Sequence, residues 1–273
     1  MGFPSNCFEI QTLFAQTMKN QLLIAGSILF MLSGCVTETT YVGKDTKVEG
    51  IDRQAAAKNR LGLGLGYLDK GDMSQAKFNL DRALTFDPSN PEVYIARAYY
   101  FQRVGDQGSA EDAYRKVLGM YPQNADALNN YGVYLCGQKR YSDAETRFAQ
   151  ALKVPDYSRM DDTYENAAVC AQQAGHSDQA AKYYDLALGY NPNRGKLLLA
   201  AAELALKQQH PDKAAGYLQR FSRGGTDTAQ SLWLQLQVAQ SRGELAAVHR
   251  YGQSLAQQFP HSDQARRYLN NDY

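Results

Sequence analysis

Little in this 273-residue chain points to metal or redox chemistry. Its four cysteines, Cys7, Cys35, Cys136 and Cys170, form no C-x-x-C pair. No histidine stands at ligand spacing from another, so a zinc site is not expected. Charge of one sign is also missing: the net charge is +1, and no Lys/Arg cluster makes a nucleic-acid patch. Apolar runs are short, and the run from Leu22 to Leu32 falls below the length of a membrane span. Proline is scarce, at 8 residues against 19 tyrosines.

Candidate chemical sites are equally sparse. Gly62, Gly64 and Gly66 read G-x-G-x-G, without the third glycine of a dinucleotide loop and without a preceding strand. His176, His210, His249 and His261 fall mostly in turns, and no Ser or Cys triad can be assembled. Asp161 and Asp162 sit at a helix start, where carboxylates suit capping. The sequence therefore predicts no catalytic residue, no cofactor, no metal, no small-molecule substrate and no nucleic-acid partner.

The amino-terminal region reads as an address. From Met18 a single Lys19 leads into the Leu22–Leu32 run, which has the length of a signal-peptide core. The run ends in Leu32-Ser33-Gly34-Cys35, which resembles a bacterial lipobox. That resemblance implies a signal peptide over 1–34, whose true start is Met18, and lipidation of Cys35 after cleavage. A plain secretory signal or an uncleaved anchor is the alternative. Val36 in place of Asp implies onward transport to the outer membrane. Residues 35–52 are polar, lack helical periodicity and read as a tether.

Beyond the tether the chain repeats. A small residue recurs at Ala76, Ala110, Ala144, Ala180 and Ala214, with Val248 as a degenerate sixth; the steps are 34, 34, 36, 34 and 34. Four residues after each of the first five come Leu80, Tyr114, Phe148, Tyr184 and Leu218. Proline follows twelve after at Pro88, Pro122, Pro192 and Pro260, and turn glycines sit at Gly71, Gly105, Gly175 and Gly243. This pattern resembles the tetratricopeptide repeat. The resemblance implies an all-α right-handed superhelix over 53–273. Its hairpins are expected near 57–90, 91–124, 125–158, 161–194, 195–228 and 229–262, with a capping helix over 263–273. Departures are an insertion near Val154–Tyr157 and Gly252 at a large-residue position.

In such repeats the inner face is lined by fixed positions of each first helix. In the first two repeats these include Leu61, Leu65, Leu68, Ile95 and Tyr99. Leucines on a wet face suggest a hydrophobic groove for a partner helix or extended peptide, unless the tether or a neighbouring chain covers them. By repeat four the lining reads as polar, with Glu165, Gln172 and Gln173. Gly62 and Gly66 suggest a first helix that is loosened or closely approached by a partner; a merely suboptimal helix is the alternative. Cys136 and Cys170 lie on first helices of adjacent repeats, within reach of a disulfide in an oxidising compartment; two buried thiols are the alternative.

The lipobox, the tether and six repeats together resemble the type IV pilus biogenesis lipoproteins of the PilF/PilW family, which the cysteine pair also fits. The resemblance implies a pilotin. Such a factor is lipid-anchored in the outer membrane, faces the periplasm, and binds the secretin subunit to promote its localisation and multimerisation. The other reading is a lipidated scaffold for outer-membrane-protein or cell-wall assembly.

Overall fold

The structure is a computed structural model and describes residues 52–273. The expected signal peptide (1–34), the lipidated Cys35 and almost all of the tether lie outside the described residues. Among the described residues there are thirteen α-helices and no strand. They form six antiparallel hairpins. The first pairs α1 (Arg53–Asp69) with α2 (Met73–Phe86), and the second α3 (Pro91–Arg103) with α4 (Gln107–Met120). The third and fourth are α5 (Ala125–Gly137) with α6 (Tyr141–Ala151), and α7 (Met160–Gln173) with α8 (Ser177–Tyr190). The last two are α9 (Gly195–Lys207) with α10 (Pro211–Gly224), and α11 (Ala229–Ser241) with α12 (Leu245–Gln258); α13 (Asp263–Leu269) closes the stack.

Local signals explain the boundaries. Asp72 and Asp106 cap α2 and α4 by accepting from the amides of Gln75 and Ser109, each at 3.0 Å. The turn glycines Gly71, Gly105, Gly175 and Gly243 all take left-handed φ, between 72° and 82°. The third and fifth hairpins turn on Lys139 and Gln209 instead, both at φ 60°. There the same i to i−5 bond closes the turn, from Arg140 to Leu135 and from His210 to Ala205. Two exposed, ordinary side chains thus stand in a region that glycine enters without strain, with the backbone bond closing each turn.

Within each hairpin the two helices meet through a small residue facing a large one. Gly64 faces Leu80, and a Cβ added to Gly64 would lie 2.7 Å from the Leu80 side chain. Gly132 faces Phe148, where the same atom would lie 2.6 Å from the ring. The same register holds Ala98 and Tyr114, Ala168 and Tyr184, and Ala202 and Leu218, all buried. In the sixth hairpin the sizes invert: Leu236 is fully buried on α11 and Gly252 stands on α12. Tyr268 of α13 fills the volume above that glycine, so a Cβ there would run into the Tyr268 ring. Gly252 is thus the seat of the closing helix.

The insertion between repeats three and four is accommodated outside the helices. It forms the Leu152–Arg159 turn, where Val154 and Tyr157 pack against Ala125, Leu128 and Ala151. The Tyr157 hydroxyl lies 3.1 Å from the Thr163 hydroxyl, which ties the loop to α7.

Gly252→Leu should displace α13 and lower stability by about 1–3 kcal/mol through overpacking. A thermal melt checks this, with loss of the Tyr268 near-ultraviolet signal as the local marker; an unchanged melt would contradict the seat.

Candidate inner-face binding site

The five residues expected to line the inner groove divide into a buried pair, an exposed pair and the half-buried Ile95. Leu61 and Leu68 are not groove residues: they are 6 % and 0 % exposed and belong to the core beneath α1. The reason is helical register. Ala57, Leu61, Gly64 and Leu68 recur at steps of four, three and four, and that stripe is the buried face of α1. Leu65, one position round the helix, is 39 % exposed, as is Tyr99 on α3. Ile95 is half-buried and leans on the cluster of Tyr94, Val117 and Ala127.

The exposed set is longer than the sequence reading allowed. Leu65, Tyr99, Val133 and Val169 occupy the same register of α1, α3, α5 and α7, at steps of 34, 34 and 36, and are 39 %, 39 %, 43 % and 40 % exposed. Because successive first helices pack side by side, these four residues make one apolar ladder across four repeats. The polar residues expected in repeat four flank it: Glu165 and Gln172 are half-buried beside Val169. In repeats five and six the ladder becomes Glu203 and Gln237. They line a polar depression of about 570 Å³ with Gln230, Trp233, Gln240 and Arg267.

Charge borders the ladder. Arg103 donates to the Tyr99 hydroxyl at 3.1 Å. Further along, Arg194 reaches Asp161 at 3.1 Å, Asp162 at 2.6 Å and also Glu165. Arg159 reaches Asp126 at 3.1 Å and Asp162 at 3.0 Å. Burial works to raise the Asp162 carboxyl, but hydrogen bonds from Arg194 and Arg159 outweigh it and hold it below the usual carboxylate range. Asp161 and Asp162 lie in the first turn of α7 as expected, yet make no capping bond; their oxygens are committed to Arg159, Asn191 and Arg194.

Gly62 and Gly66 flank Leu65 in an unbroken α1, both exposed, with open space where a side chain would stand. The backbone of α1 is bare beside the start of the ladder. Cys136 of α5 and Cys170 of α7 form a disulfide across repeats three and four, with Cα atoms 5.7 Å apart. Among the described residues no group of three or more His, Cys, Asp or Glu side chains has metal-binding geometry. No described helix is long and apolar enough to cross a membrane.

Paired helices at this period, with a small-to-large seam and an exposed ladder on the first helices, define a tetratricopeptide-repeat scaffold. Tetratricopeptide-repeat families match at residues 57–90, 95–158 and 166–228. The type IV pilus assembly protein PilF of Pseudomonas aeruginosa is 32 % identical over 245 residues, covering 88 % of this chain and 96 % of that one. The solved structure of P. aeruginosa PilF superposes with a TM-score of 0.67, over 80 % of this chain and 99 % of that one. PilW, described as a widely conserved type IV pilus biogenesis factor, superposes at 0.68 with 26 % identity, over 78 % and 98 % of the two chains. The chain belongs to the PilF/PilW family of tetratricopeptide-repeat proteins of type IV pilus biogenesis.

The burial split gives a direct test of the site. Leu68→Ala should cost about 2–5 kcal/mol, as core truncations do, while Leu65→Ala should stay within about 0.5 kcal/mol of the parent. Chemical denaturation of the two variants checks this, and equal losses would contradict the assigned register.

Proposed function

We propose that this protein is a pilotin of the type IV pilus, acting by binding and not by catalysis. In this reading the signal peptide directs export, and Cys35 carries the lipid that holds the chain at the outer membrane. The tether presents the repeat array to the periplasm. There the inner face binds the secretin subunit and promotes its localisation and multimerisation. The observation that carries the reading is the likeness to a type IV pilus assembly protein over nearly the whole of both chains.

The ladder supports a mode of recognition. Four apolar residues on successive helices suit an amphipathic segment whose own apolar positions recur along its length. Leu65, Ile95 and Tyr99 carry the part of this surface in the first two repeats, and the bare backbone at Gly62 and Gly66 lets the partner approach closely there. Val133 and Val169 extend the contact to repeat four. The Cys136–Cys170 bridge, oxidised after export, locks the register of the two repeats that carry this extension.

Three outcomes test the reading. Leu65→Glu should leave the melt unchanged while secretin multimers fall several-fold on native gels; undiminished multimers would refute the assigned groove. Cys35→Ala should yield a folded protein absent from the outer-membrane fraction, and continued fractionation with that membrane would refute the anchor. Thiol labelling under denaturing conditions should modify Cys136 and Cys170 only after reduction; bridging a loop of this length adds about 3–4 kcal/mol to stability. Labelling without reductant would contradict the bridge.

A further inference from the structure

A cavity of about 210 Å³ lies on the side of the array away from the ladder, at the junction of repeats three and four. Glu145 and Phe148 of α6, Ala167 and Ala171 of α7, and Gln179 and Tyr183 of α8 line it. Its floor is apolar and its rim carries one carboxylate. Glu145 Oε1 accepts from Gln179 at 3.0 Å and from the Tyr183 hydroxyl at 3.3 Å. Its other oxygen has no hydrogen-bond partner among the described residues.

The corresponding space one repeat earlier is full, and its contents show what the cavity fits. Glu111 stands where Glu145 does (145 − 34), and Tyr114 where Phe148 does (148 − 34). Tyr131 corresponds to Ala167 (167 − 36), Tyr134 to Cys170 (170 − 36) and Arg147 to Tyr183 (183 − 36). There the Tyr131 ring stacks on Tyr114 with centroids 5.1 Å apart, and its hydroxyl donates to Glu111 at 2.8 Å. Arg147 lies over the same ring at 5.2 Å. At the third and fourth repeats the carboxylate and the aromatic floor are kept, while both tyrosines are replaced by small residues. At the next junction the aromatic floor persists as Tyr184, but Ala181 takes the place of the glutamate, and the buried Leu204 that of Cys170.

The geometry points to a receptor for a phenolic ring, supplied as a tyrosine side chain of a partner polypeptide. The ring lies on Phe148 against Tyr183, and its hydroxyl donates to Glu145. An apolar cavity of about 150 Å³ holds benzene, so the volume here accommodates a ring with its hydroxyl. A purely hydrocarbon side chain would crowd the carboxylate and offer it no donor. A side chain is the fitting source because the ring in the matching space is itself a side chain carried on a helix. The cavity is separate from the inner face, so this surface and the ladder can be occupied together.

The test uses the full-length protein in nanodiscs with alanine methyl groups labelled for NMR. The probes are p-cresol and N-acetyl-tyrosinamide. Both should shift the Ala167 and Ala171 signals saturably, and Glu145→Gln should weaken each by about five- to tenfold through loss of a charge-assisted bond. Ala167→Tyr, which restores the ring present one repeat earlier, should abolish binding, read on Ala171. If that variant fails to fold by circular dichroism, Ala171→Met serves to block the cavity, read on Ala167. The proposal is overturned by the absence of saturable shifts, by binding that persists in the blocked variant, or by an unchanged affinity in Glu145→Gln. Binding of p-cresol without N-acetyl-tyrosinamide would overturn the polypeptide source.

Discussion

Everything in this array depends on how closely two helices of a hairpin approach. A glycine or alanine at one register of the first helix in hairpins one to five lets the second helix come near, and a leucine or aromatic ring from that helix fills the opening. Gly64 with Leu80 and Gly132 with Phe148 show how little room is left, since a single added methyl would meet the facing side chain. Close-packed interiors transmit such constraints, so the hairpin repeats as a nearly fixed unit. The sixth hairpin shows that the volume matters more than its origin. With Leu236 now on the first helix, Gly252 and Tyr268 together restore the fill and bring in the closing helix.

A fixed unit produces a regular surface. Because the hairpins stack in register, one exposed position per first helix becomes a line, and Leu65, Tyr99, Val133 and Val169 form a ladder that no single repeat contains. The two extra residues between repeats three and four are absorbed by the Leu152–Arg159 turn and leave the ladder unbroken. The same regularity makes departures informative. Where Tyr131 and Tyr134 fill one junction, Ala167 and Cys170 leave the next one open beside a retained glutamate.

Much of this was legible in the sequence. The spacing of Ala76, Ala110, Ala144, Ala180 and Ala214 carried the helical hairpins, and the turn glycines marked four of the six turns. Lys139 and Gln209 carried no such mark, because the backbone bond that closes each turn does not depend on side-chain type. The inner face was harder to read. Leu61 and Leu68 share their residue type with Leu65, and only the buried stripe through Ala57 and Gly64 separates core from surface. Val169 was missed because a valine beside Glu165 and Gln172 reads as part of a polar face. The signal that finds Val133 and Val169 is the step of 34 from Leu65 to Tyr99, continued by 34 and then by 36. Gly252 read as a flaw until Tyr268, sixteen positions on (268 − 252), took its place beside it.

The central claim is that the ladder on the first helices is the surface that meets the secretin subunit. Site-specific photocrosslinking in cells tests it most directly, with a benzophenone side chain placed at Val133 on the ladder or at Leu186 on α8. The account predicts capture of the secretin subunit from position 133 and none from position 186. Capture from 186 with none from 133 would contradict it.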